Sequence, residues 1–125
     1  MQPRQPLSER VAPAEAGARW GTRFFARVLE HLPPSTPQVE RRLLRSAYEI
    51  HRMTDAMLVG LTEGDVWRLI GTVEVMKATA DAAIIAGVPE GYVRQLLAMT
   101  LSHAAEVAEL AAQIALPDEP DSSTT

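Results

Sequence analysis

Apolar residues recur at helical spacing along most of this chain, and proline and glycine punctuation cuts the pattern into four segments. The third, TEGDVWRLIGTVEVMKATADAAIIAG from Thr62 to Gly87, is the one around which the others arrange. Thr62 is an N-cap residue type, and Asp65 follows three positions later as a capping acid. Gly87 stands where a left-handed C-cap glycine belongs, with Pro89 just beyond. Val66, Leu69, Ile70, Val73, Ala80 and Ile84 form one apolar stripe. A second strip, Gly71, Val75, Ala78 and Ala82, lies on another side, and small residues there allow a close backbone approach. A helix apolar on several sides is covered on several sides, so the second strip is expected to meet either a fourth helix of the chain or another subunit.

The flanking segments read the same way. A first helix is predicted over 13–32, with Trp20, Phe24, Val28 and Leu32 along one side and Phe25 and Leu29 beside them. It ends at Pro33-Pro34. A second starts at the Thr36 cap and Pro37 and runs to Val59, with Gly60 as its stop. Its stripe is Val39, Leu43, Ala47, Ile50, Thr54, Met57 and Leu61. A fourth spans 89–116, with Val93, Leu96, Leu97, Thr100, Ala104, Val107, Ala111 and Ile114 inward. The link before it is short, and short links make antiparallel neighbours. The expected fold is all-α: one antiparallel four-helix bundle over residues 13–116, with a flexible tail at 1–12 and a disordered acidic tail at 117–125.

Composition narrows the chemistry. The 125 residues suffice for one domain with its own core. The absence of cysteine excludes disulfides and thiolate chemistry. No signal peptide or long apolar run is evident, so the chain is expected to be cytoplasmic. Eleven of the twelve basic residues are arginine, which suggests a GC-rich bacterial or phage gene. The net charge of −4 conceals an asymmetry. Residues 1–60 hold nine arginines against six acids, or +3, and residues 61–125 hold three bases against ten acids, or −7. The overall sign disfavours nucleic acid as a general partner. The two halves are expected to attract one another, within a chain or between copies.

Three groups of residues stand out. Lys77 falls within the apolar stripe of the third segment, with Glu74 and Asp81 at helical spacing to pair with it. It is the candidate buried polar residue. Arg19, Arg23 and Arg27 repeat one turn apart beside aromatic residues, and such a row can meet phosphate or an anionic membrane face. His51 and His103 sit at the edges of their stripes near several methionines. Methionine at helical spacing is ordinary core filler, so no metal or cofactor is expected.

Arg45 and His51 are separated by five residues. That spacing resembles the Arg-x(4–6)-His motif of the HEPN-domain ribonucleases, which are small helical bundles that dimerise. The resemblance implies metal-independent RNA cleavage with Arg45 and His51 meeting in a dimer cleft. Six residues on a straight helix do not share a face, so this reading asks for a kink in the second helix. With no stronger motif, the expected function is a non-enzymatic helical interaction module, an adaptor, regulator or assembly component. It is expected to self-associate through Gly71, Val75, Ala78 and Ala82, with itself or an unidentified protein as partner.

Overall fold

The computed structural model describes residues 7–58, Gly60 and 63–115. It contains four helices: α1 (Leu7–Glu30), α2 (Gln38–Met57), α3 (Glu63–Ile85) and α4 (Glu90–Ala115). They form a four-helix bundle in which α2 packs against the other three, α4 touches α1 and α3, and α1 and α3 do not meet. The end of α2 (Arg52, Met53, Met57) lines a cleft with the start of α3 (Asp65, Arg68), as a short link requires.

Local signals set the helix ends. Gly87 has φ +100, a conformation that side chains beyond glycine rarely adopt. Its N–H donates to the Ile84 carbonyl at 3.1 Å, and the Val88 N–H donates to Ala83 at 2.9 Å. This is the two-bond Schellman closure, and Val88 is buried as its apolar seal. At the other junction Pro37, not Thr36, is the N-cap of α2, and no side chain caps it. Thr36 is committed to the preceding turn, its N–H donating to Pro33 at 3.0 Å. Arg41 folds back over that turn and donates to the Pro33 carbonyl at 2.7 Å.

Helix α1 begins at Leu7, so the tail expected over 1–12 is helical from that point, and residues 1–6 lie outside the described residues. Pro13 stands inside α1, where it removes one backbone donor. Arg10 fastens this first stretch to α4, 3.1 Å from Glu109 and 3.7 Å from Glu106. Helix α2 ends at Met57, before the expected Val59. The expected features at Val59, Leu61, Thr62 and 116–125 lie outside the described residues.

The core is built from Phe25, Leu43, Leu44, Ala47, Ile50, Leu69, Met76, Ala80, Ala83, Val93 and their neighbours. From Val39 to Met57 in α2 and from Val93 to Ala111 in α4 the predicted stripes are inward as expected. Two faces differ. In α1 the inward row is Ala14, Ala18, Gly21 and Phe25, while Trp20 and Phe24 stand outside. In α3 the buried row is Leu69, Met76, Ala80 and Ala83, so the core axis is turned by roughly 60° from the predicted stripe.

Lys77 is therefore not buried. Taking 100° per residue, it lies about 90° from the true core axis, and Lys77, Glu74 and Asp81 are all exposed. Its ammonium meets Glu74 at 3.3 Å in a solvated i,i+3 pair. Such a pair contributes little to stability.

Candidate functional site

Helix α3 is covered on one side by α2 and on another by α4, and no other described helix packs on it. Gly71, Val75, Ala78 and Ala82 are all exposed there. The face is bounded by large apolar groups: Trp67 is 66% exposed, Val75 57% and Ile85 86%. Gly71, Val75, Ala78, Ala82 and Ile85 are spaced alternately four and three residues apart, the spacing of a coiled-coil seam. A Cβ built on Gly71 meets nothing within 4 Å. The small residues thus sit on open space, not against a fourth helix.

The flanks of this face differ in charge. On the α2 side a groove of about 620 Å³ is walled by Arg42, Arg45 and Arg68 above a floor that includes Gly71 and Val75. Arg68 is 3.5 Å from Asp65. Glu49, at the groove's end, pairs with Arg52 at 2.7 Å and not with Arg45 one turn before it. On the α4 side a second groove, of about 330 Å³, holds Glu74 and Lys77 above Leu101 and Ala105. Asp81 lies on that same flank by helical angle.

A second surface runs along α1. Arg19, Arg23 and Arg27 are exposed, and Trp20 and Phe24 stack beside them with ring centroids 4.9 Å apart and planes 8° from parallel. Together they border a shallow groove of about 440 Å³.

The bundle also holds a pair of rings, one buried and one half-buried, that the sequence placed at stripe edges. His51 of α2 and His103 of α4 stack with centroids 4.7 Å apart and planes 8° from parallel, and Phe25 packs on His51 at 5.2 Å. Two glycines of α1, one turn apart, make room for them. A Cβ on Gly21 would stand 2.0 Å from His51 Cδ2, and one on Gly17 would touch His103 Cε1 at 3.6 Å. A signal was present in the glycine spacing of the first helix, since glycine weakens a helix and permits close approach by a neighbour.

Hydrogen bonds fix both rings. His51 Nδ1 lies 2.9 Å from the Ala47 carbonyl, which only accepts, so that nitrogen carries the proton. The Thr54 hydroxyl donates to the His51 carbonyl at 2.9 Å. Its oxygen is then the acceptor for His103 Nε2–H at 3.2 Å. Burial holds the His51 pKa below its ordinary value against the raising effect of the Ala47 bond. Burial, and then repulsion from His51, lowers His103 to about 4. Both rings are therefore neutral at pH 7.

Arg45 and His51 do not come together within one chain. Arg45 is exposed on the α3 side of α2, whereas His51 is buried against α1 and α4. Among the described residues no group of three or more His, Asp or Glu side chains is placed to hold a metal ion. No described helix is long and apolar enough to cross a membrane. Comparison with protein-family models, curated proteins and solved structures returns no match.

Proposed function

We propose that this protein is a helical interaction module that associates with a second copy of itself through the outer face of α3. The observation that carries this reading is the exposed seam Gly71, Val75, Ala78, Ala82 and Ile85, with Trp67 at its start. Exposed apolar residues scattered singly need no explanation, but a contiguous row at coiled-coil spacing marks an interaction surface. The small central residues allow close approach. The large ones, Trp67 and Ile85, lie toward the ends, where crossing helices diverge. The role that follows is scaffolding or regulation by assembly.

Light scattering on the purified chain tests it. The wild type is expected to be a dimer at micromolar concentration. Val75→Glu and Ala78→Glu, both at exposed positions, are expected to give monomers with unchanged helical content. A wild type that stays monomeric at high concentration removes the reading.

A second reading rests on a separate surface. The row Arg19, Arg23 and Arg27 beside the Trp20–Phe24 stack has the chemistry to meet an anionic surface. Binding to acidic vesicles that falls with added salt, and that Arg23→Glu abolishes, would support it.

A further inference from the structure

Resting on that reading of α3 as a self-association face, we infer that the two copies lie with their α3 helices pointing the same way, each basic α2-side flank seated on the partner's acidic α4-side flank. The two flanks of the seam are not alike. One is walled by Arg42, Arg45 and Arg68, of which Arg42 and Arg45 have no ion-pair partner among the described residues. The other carries Glu74 and Asp81, with Lys77 held by Glu74.

Symmetry decides which flanks meet. A two-fold axis parallel to the helices brings each flank against the opposite flank of the partner. An axis perpendicular to them brings each flank against its own copy. The perpendicular arrangement therefore crowds arginine on arginine around Val75, because Arg45 borders the groove beside that residue. The parallel arrangement places Arg45 level with the partner's Glu74, and Arg42, farther along the same groove, toward the partner's Asp81. Like charges juxtaposed across an interface are penalised, and opposite ones fix the register. The charge pattern selects the parallel dimer.

The absence of cysteine makes the arrangement directly readable. In a parallel pair every seam residue faces its own copy. Val75→Cys, Ala78→Cys and Ala82→Cys are each expected to give a covalent dimer on mild oxidation. In an opposed pair only the residue at the axis does so, and Gly71→Cys cross-links efficiently only when mixed with a different cysteine variant. The charge pairing is tested by Arg45→Glu, expected to raise the dimer dissociation constant at least tenfold, and by the double variant Arg45→Glu with Glu74→Arg, expected to restore it. Circular dichroism confirms that each variant keeps its helices. A dimer that cross-links through one seam position alone, or that ignores Arg45→Glu, overturns the arrangement while leaving self-association standing. A chain that never dimerises overturns both.

Discussion

Helices α1 and α3 both carry small residues at helical spacing, and the bundle uses them in opposite ways. In α1 the row Ala14, Gly17, Ala18 and Gly21 is turned inward, where its missing side chains are filled by the imidazoles of His51 and His103. In α3 the row Gly71, Ala78 and Ala82 is turned outward and exposed, and no described residue comes within 4 Å of a Cβ built on Gly71. Small residues state that something can come close; they do not state what. The distance from a notional Cβ to its nearest neighbour separates the cases: 2.0 Å at Gly21 and open space at Gly71.

That contrast can be broken by experiment. The largest effect is expected from Gly21→Ala. Alanine favours helix by up to ~1 kcal/mol, but here its methyl collides with a buried ring that is hydrogen-bonded in place. The net outcome is a destabilisation of about 3 kcal/mol, readable by urea unfolding. If Gly21→Ala is neutral, the histidine seam is not packed as described.

Acid comes next. Both rings are neutral in the fold and their folded pKa values lie below the ordinary 6.5. The unfolded chain therefore binds more protons than the native one as pH falls. The stability contributed by this arrangement is full above about pH 6.5 and is lost progressively toward pH 4, the folded value for His103. Arg10 and Glu106 line an open pocket together with His103, yet burial and the neighbouring His51 set the direction of its shift. Thermal melts at pH 7 and pH 4.5 are expected to differ by several degrees, and His103→Gln is expected to shrink that difference.

A smaller effect concerns a flaw in the same interior. Thr54 and Thr100 are both fully buried, yet of the two only Thr54 has its hydroxyl satisfied, and Thr100 Oγ1 has no partner among the described residues. Replacing Thr100 by valine keeps the shape and removes the orphaned hydroxyl, so a gain of about 1 kcal/mol is expected. The smallest effect belongs to the outer face. Gly71→Ala is expected to raise the stability of the isolated chain by roughly 0.5–1 kcal/mol, through helix propensity alone. Its sign opposite to that of Gly21→Ala is the sharpest form of the comparison.

Much of the fold was legible because its punctuation is chemical. Gly87 with Pro89, and the run from Leu32 to Pro37, mark chain reversals that depend on backbone geometry and missing donors. The stripes of α2 and α4 were legible because their outward positions are polar. Helices α1 and α3 defeated the same arithmetic for one reason. Each has apolar residues on two faces, and helical spacing alone does not say which of the two is inward. Trp20 and Phe24 drew the predicted axis of α1 away from its alanines and glycines. Ile70, Ile84 and Val66 drew that of α3 away from Met76 and Ala83, and that rotation alone put Lys77 inside. Of the candidate site, the strip on α3 was readable as a pattern. Its exposure was not, because exposure depends on α1 lying across α2 and α4 and never reaching α3. The histidine stack was unreadable for a related reason: it joins positions 52 residues apart through a slot cut in a third helix.

The two indoles fall one on each of the contrasted helices, Trp20 on the outside of α1 and Trp67 at the head of the α3 seam. The chain thus carries a separate optical probe for each. With Trp20→Phe, the remaining Trp67 emission is expected to shift to the blue with rising concentration if the α3 faces pair, and with Trp67→Phe the remaining Trp20 emission is expected to report acid unfolding of α1. A fluorimeter can read the two surfaces independently, with no label attached.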